Sequence, residues 1–430
     1  MPSVSRFGAK RLYRDAGSMA SSSVASGLLG AAFWALSARI FPPAELGVMT
    51  AVMAVITATG VVVAAGVGDA YTALLPAVGS ARVRLYRRGQ RMFWIIASIG
   101  GVGAAAGTVL LLTEVRGSIG VALLVAFGVL VWSAVNVQSS ALVALGRARW
   151  LPGANLLTGL VKIGLLPLLA ITLRWHAVEL AFLIATTGMV VVLGPVIWKV
   201  VNSATDLPPA TLSEDAALGM FNGFFAQSIA SSGLNFGVLT LSPFLVTAFA
   251  DPEQGALFAL VFSIVQTLDV VGMAMALSLV VHASSAPDDA WSMARSVLIK
   301  TVLLTVAGAL FLIVLAPPAL RLLDPAYGAL GVTDVVRVLC AVCVVRTVYT
   351  VWSALQRSHR NIAAPLRFNV AFAVMLPVLV VTLCRPYGAL GGAFALLLAQ
   401  SALSGAAGIH LLISRRRGGE GVRRVSVSGS

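Results

Sequence analysis

The sequence predicts an all-α integral membrane protein of about twelve transmembrane helices in two six-helix lobes. Three observations predict it: a shortage of charge, a series of long apolar runs, and an alternating distribution of Lys and Arg. Of the 430 residues, 59% are hydrophobic and 11% charged, where a soluble domain carries about 25% charged residues. That is too little charge to cover a globular surface of this size. The apolar runs reach the roughly 20 residues a helix needs to cross the hydrocarbon core. They lack the short alternation of barrel strands, and only helices and closed barrels satisfy their backbone in lipid.

The runs fall at 17–38, 46–76, 91–113, 118–143, 152–173, 177–199, 218–247, 254–283, 296–316, 332–355, 364–384 and 388–413. With the N-terminus placed inside, the cytoplasmic segments hold 22 Lys and Arg and the opposite loops five (Arg39, Arg116, Arg174, Arg321, Arg385). Lys162, Arg337 and Arg346 fall inside spans. This bias predicts a multi-pass protein of the cell membrane with both termini cytoplasmic. It also accounts for the net charge of +14 without nucleic acid, because the basic residues alternate between loops instead of gathering on one domain. Attraction to anionic membrane lipids follows as a by-product. The first run is longer than a signal-peptide core and leads into a second span, so it reads as an anchor.

The organisation expected is an N-terminal lobe over 1–199 (spans 1–6) with a basic cytoplasmic tail, and a linker over 200–217. A C-terminal lobe over 218–413 (spans 7–12) and a basic, disordered tail over 414–430 follow. The linker lies at the midpoint, and the halves resemble one another. At an offset of 210, Leu166-Pro167 falls on Leu376-Pro377, Thr172-Leu173 on Thr382-Leu383, and Arg147 on Arg357. Near the start of each half, Glu45 and Gly47 pair with Glu253 and Gly255 at an offset of 208. Six crossings return the chain to its starting side, so the repeat is parallel, about an axis along the membrane normal.

Ionisable groups inside spans are the sharpest functional signal, since each costs about 2.5–3.5 kcal/mol to insert. Lys162 stands at the centre of span 5. Asp269 is at the centre of span 8, on the same helix face as Gln266. Arg346 lies in span 10, and Asp69 follows Gly66 and Gly68 in span 2. Arg39 marks the outer end of span 1 and Arg337 the outer part of span 10. Each has a second reading: Arg39, Arg337 and Asp69 snorkel to an interface, Lys162 is tied down for packing, and Asp269 neutralises Arg346. Read functionally, Lys162, Arg346, Arg39 and Arg337 form a cationic set for an anionic substrate, with Asp269 and Asp69 as ion-coupling candidates.

Other features read as structural. Gly100, Gly103 and Gly107, with Gly27 and Gly30, suit close helix approach, and Pro167 and Pro377 should bend their spans. Trp132, Trp150, Trp175, Trp198, Trp291 and Trp352 suit an interfacial belt. Cys340 and Cys343 share a helix face with no second ligand pair, so they and Cys384 read as core thiols. His282 is a minor candidate for proton coupling. No loop is long enough for the paired carboxylates of a membrane transferase, and no Gly-rich phosphate loop is present. The chain therefore reads as a non-enzyme that needs no cofactor or metal.

At the junction of spans 1 and 2, Ala38-Arg39-Ile40-Phe41-Pro42-Pro43-Ala44-Glu45-Leu46-Gly47 resembles the AR-x-x-x-P-x-E-x-G junction of the polysaccharide-transport flippases. These belong to the multidrug/oligosaccharidyl-lipid/polysaccharide (MOP) exporter superfamily. Pro386-Tyr387-Gly388-Ala389-Leu390-Gly391-Gly392-Ala393 resembles the start of their last helix pair, and Gly146-Arg147-Ala148-Arg149 their basic joint after span 4. The resemblance implies a MATE-like, V-shaped pair of lobes around a cavity lined by spans 1, 2, 7 and 8. It implies translocation of an undecaprenyl-diphosphate-linked oligosaccharide for cell-surface polysaccharide or lipopolysaccharide synthesis. The partners implied are that lipid-linked oligosaccharide, membrane lipids, and the polymerase and glycosyltransferases of the same assembly. One departure stands out: Asp69 follows Gly68 where the family often carries a basic residue, which moves the inner diphosphate contact towards Arg82, Arg84, Arg87 and Arg88. Two alternatives remain open, a cation-coupled multidrug or small-solute exporter of the same superfamily and a non-transporting scaffold of a glycan-assembly complex.

Overall fold

A computed structural model describes residues 27, 29–203, 212–285, 290–358 and 363–427. The first ten positions of expected span 1 and residues 204–211 of the central linker lie outside the described residues. Among the described residues, eight helices are long and apolar enough to cross a membrane, or nine with the bent pair over Glu214–Phe249 taken as one span. The helix Ala363–Val427 is broken at Gly388 (φ 54°, ψ −135°). A Cβ on Gly391 would run into the carbonyl of Leu383. Eight residues apart, those two positions meet only if the chain doubles back, since an unbroken helix would separate them by about 12 Å. Spans 11 and 12 are therefore two helices. With Pro252–Ser285 and the shorter apolar helix Leu29–Ile40, the described residues supply the twelve segments expected.

The chain divides into two compact units, Met1–Ala259 and Leu260–Ser430. The first contains α1 (Leu29–Ile40), α2 (Pro43–Leu74), α3 (Arg82–Leu111), α4 (Ile119–Ala144), α5 (Leu151–Leu173) and α6 (Ala177–Asn202). It continues with α7 (Glu214–Ser228), a π-helical turn over Ile229–Gly233, α8 (Leu234–Thr240) and α9 (Ser242–Phe249). Helix α2 is its axle. Buried residues run along the whole of α2, and it packs on α3, α4 and α7–α9. Small residues permit this: a Cβ on Gly60 would meet Trp132, one on Gly66 Phe225, and one on Gly237 Val62.

Both repeated glycines sit at close contacts. A Cβ at Gly47 would overlap the Pro252 backbone, and one at Gly255 would overlap Thr247. Beside them Glu45 accepts from Nε and Nη2 of Arg174, at 3.4 and 3.3 Å. The motif between spans 1 and 2 is thus a packed corner that ties the first turn of α2 to the α5–α6 turn and to Pro252. At the opposite, basic end, Arg82 donates to the carbonyls of Val201 and Ser203, the last of α6. A cation at a helix C-terminus satisfies carbonyls that have no partner within the helix. Leu212 N–H donates to the Ala77 carbonyl, and Arg84 pairs with Glu214 at 2.7 Å.

Helix α10 (Pro252–Ser285) leads into the second unit, which holds α11 (Ala290–Leu323), α12 (Ala326–Ala329), α13 (Val332–Ser358) and α14 (Ala363–Val427). Helix α13 packs between α11 and α14. Its core is aromatic. Trp352 stacks on Phe368 at 4.7 Å between ring centres, and its indole N–H donates to His410 Nδ1 at 3.3 Å. Trp352 is fully buried, so it belongs to this core and leaves the interfacial belt to exposed Trp150, Trp175 and Trp198. The three cysteines are buried free thiols.

The lipid-facing surface is equally clear. Ile95, Ile99, Val102 and Leu110 on α3, Leu157, Leu168 and Ile171 on α5, and Leu303, Phe311 and Val314 on α11 are all exposed. Bare aliphatic surface on this scale is stable in hydrocarbon and not in water. Of the glycines expected to bring α3 close to a neighbour, Gly103 and Gly107 have nothing within 4 Å. Gly100, of the same expected set, does lie close to Val63, and the tightest approach falls at Gly101, whose Cβ would lie 3.0 Å from the Ala126 carbonyl.

Candidate functional site: the charges inside the spans

Lys162 projects from the middle of α5 between α1 and α6. Its Nζ lies 5.0 Å from the ring centre of Phe33 and 6.0 Å from that of Phe182. Phe182 in turn packs against Trp132 of α4, with ring centres 5.1 Å apart. No carboxylate pairs with Lys162 among the described residues. The ammonium therefore faces two negative ring faces, each worth about 0.5–2 kcal/mol. Helices α4 and α6 also carry polar atoms whose state the sequence does not reveal. Among the described residues, Trp132 Nε1, Gln138 Oε1 and Thr187 Oγ1 are buried without a hydrogen-bond partner. Gln138 spends its amide on the Val190 carbonyl, 3.2 Å away. A Trp or Gln within a span was the available signal, but neither carries charge, and only their lack of partners marks them.

In the second unit, Arg346 of α13 donates to Asp269 of α10 at 2.5 Å. Arg346 is 6% exposed and the Asp269 side chain 17%. One turn before Arg346, Cys343 directs its thiol at the Val265 carbonyl, 3.7 Å away, so the same two helices meet over two turns. The pairing offered as the second reading of these charges is thus realised. A guanidinium in this position needs it, because an unpaired buried charge costs several kcal/mol.

The remaining candidates sit at surfaces. Arg39 and Asp69 are exposed on α1 and α2. Arg337 is exposed and pairs with Asp334 at 3.2 Å, one turn earlier on the same helix. Lys162 therefore stands apart from Arg39 and Arg337 in its surroundings, and Arg346 differs from both in being buried. The basic cluster after α2 also divides. Arg82 and Arg84 are engaged as described above, and Arg88 reaches Asn222 at 3.4 Å, whereas Arg87 lies over the Trp198 ring at 5.3 Å.

One functional-looking carboxylate was missed. Glu179, in the first turn of α6, is fully buried and contacts His176 Nδ1 at 3.2 Å. Its second oxygen is without a partner. The Glu179 hydrogen bond raises the His176 pKa above its ordinary value; burial works the other way, and the nearby negative charge adds to the rise. His176 itself is in the left-handed region, φ 62°, where it starts α6.

No sequence-family profile and no curated protein matches this sequence. Solved structures do match over nearly the whole chain. A structure titled as the inward-facing conformation of a multidrug resistance MATE family transporter of the MOP superfamily gives a TM-score of 0.64 at 15% identity, covering 91% of this chain and 94% of that one. The outward-facing conformation of such a transporter gives 0.60 at 15% identity, with 94% and 96% covered. The lipid II flippase MurJ, in an inward closed conformation, gives 0.64 at 13% identity, with 92% and 87% covered. The chain is an all-α membrane protein with the MATE-like fold of these transporters and of this flippase.

Proposed function

We propose that the protein moves a polyprenyl-diphosphate-linked oligosaccharide from the cytoplasmic to the outer leaflet by alternating access, for synthesis of cell-surface polysaccharide. The observation that carries this is the cation left uncompensated in the membrane interior. Arg346 is neutralised by Asp269, while Lys162, among the described residues, meets ring faces and no carboxylate. A lone ammonium at mid-span is costly, and a diphosphate is the anion that offsets it. The rings hold Lys162 weakly enough for a phosphate oxygen to compete. Likeness in fold to a lipid II flippase and the motif resemblance support the same reading. In it Lys162 is the principal diphosphate contact, Arg39 and Arg337 serve passage near the outer surface, and Arg346 joins the cationic set when its pair with Asp269 opens. That makes Asp269 the first coupling candidate and Asp69 the second.

Binding of a fluorescent short-chain polyprenyl-diphospho-oligosaccharide to the purified full-length protein tests this. Lys162→Ala should weaken binding at least tenfold, about 1.4 kcal/mol, and Lys162→Arg should restore most of it. Equal binding by wild type and Lys162→Ala sinks the assignment. A second reading, cation-coupled multidrug export, draws on the multidrug transporters of the same fold and on Asp269. It predicts organic-cation efflux that survives Lys162→Ala and is lost in Asp269→Asn.

A further inference from the structure

The basic end of α3 carries a second arrangement with its own chemistry. Tyr86, Arg87, Gln90, Arg91 and Trp94 of α3 line a pocket of about 320 Å³ with Trp198 of α6. The positions repeat at helical spacing, so one face of α3 presents two guanidinium groups, an amide and an indole together. The pocket wall is braced from behind. Tyr71 donates to the Tyr86 carbonyl at 2.7 Å and stacks on the Tyr86 ring at 5.3 Å, and the Gln90 amide reaches the Tyr71 hydroxyl at 3.4 Å.

Among the described residues, two guanidinium groups at this place have no carboxylate partner. Arg82, Arg84 and Arg88 are each engaged by protein oxygens. Among the described residues Arg87 shows a ring contact with Trp198 and no ion pair, and Arg91 is exposed with no carboxylate paired to it. The two lie one turn apart and repel each other. Depth along the helix is also informative. Trp94 is 53% exposed, and from Ile95 onward the same helix shows bare aliphatic side chains. The pocket therefore sits where α3 passes from the polar headgroup layer into hydrocarbon, with indoles at the boundary.

We propose that this pocket holds the phosphate of an anionic bilayer phospholipid, with Arg87 and Arg91 on the headgroup and Trp94 and Trp198 against the glycerol and upper acyl chain. The ligand chemistry is a lipid phosphate. The lipid-facing position of Trp94, Ile95 and Trp198 selects a resident of the surrounding bilayer over the transported substrate. The leaflet, cytoplasmic by the Lys and Arg bias, rests on the topology read from the sequence. The site itself does not rest on the transport reading.

The test is native mass spectrometry of the full-length protein released from mixed vesicles of phosphatidylglycerol and phosphatidylcholine. Wild type should retain phosphatidylglycerol in preference. Arg87→Gln and Arg91→Gln should each reduce that retention about fivefold, while Arg147→Gln, outside the pocket, should leave it unchanged. Equal retention of the two lipids by wild type overturns the proposal without need of a variant. So does displacement of phosphatidylglycerol by millimolar inorganic phosphate, which would mark a soluble-phosphate site. Preferential retention of polyprenyl diphosphate, lost in the same variants, would assign the pocket to substrate and also overturn it. Lipid retention is read without transport, so a failed flipping assay leaves this result standing.

Discussion

Arg346 is held by what it would cost to leave it alone. With the guanidinium 6% exposed, its stability rests on the Asp269 carboxylate, and removing either partner strands the other. Arg346→Ala and Asp269→Asn should each destabilise the purified protein by about 3–5 kcal/mol, while Arg346→Met combined with Asp269→Leu should come close to wild type. Thermal unfolding in detergent measures all three. His176 is a milder case with a worked sign. Its pKa is raised in the folded protein by Glu179, so the charged pair stabilises fully below the unfolded pKa. That contribution is lost as pH rises through the folded pKa. The melting temperature should therefore fall from mildly acid to mildly alkaline pH, and His176→Gln should flatten that slope. Both intramembrane carboxylate and guanidinium were legible because charge inside an apolar run is rare. The ring faces that hold Lys162 were not, because Phe33 and Phe182 come from other helices and carry no mark among many apolar residues.

Among helices, glycine position decides how close two of them come. Gly47→Ala would drive a methyl into the Pro252 backbone, and no side-chain rotation relieves a backbone contact. Gly103→Ala faces open space. The first should cost about 1–3 kcal/mol and the second should be neutral or slightly stabilising through helix propensity, as thermal unfolding will register. Spacing along α3 suggested Gly100, Gly103 and Gly107, and the structure uses Gly100 and its neighbour Gly101. A run of small residues marks a helix able to approach a neighbour, but the face that does so depends on rotation against α4, which no local pattern encodes. The repeated Glu-x-Gly corner was legible as a motif. Its content, a salt bridge from Glu45 to Arg174 and a contact from Gly47 to Pro252, required residues from three distant turns.

Across the molecule, hydropathy was enough to outline the helical fold, because lipid demands elements that satisfy their own backbone and are long enough to cross it. The span boundaries expected near 384 and 388 bracket the break at Gly388, since only a glycine takes φ 54° there without strain. Transport chemistry is a property of few atoms and was less visible. It comes down to whether the Lys162 ammonium, without a carboxylate partner among the described residues, meets a diphosphate. The most direct measurement is translocation of a fluorescent polyprenyl-diphospho-oligosaccharide across proteoliposomes containing wild type, Lys162→Ala or Lys162→Arg. The account predicts that wild type and Lys162→Arg move the lipid-linked sugar, and that Lys162→Ala is slowed at least tenfold. Translocation by Lys162→Ala at the wild-type rate, or organic-cation efflux in place of lipid movement, would contradict it.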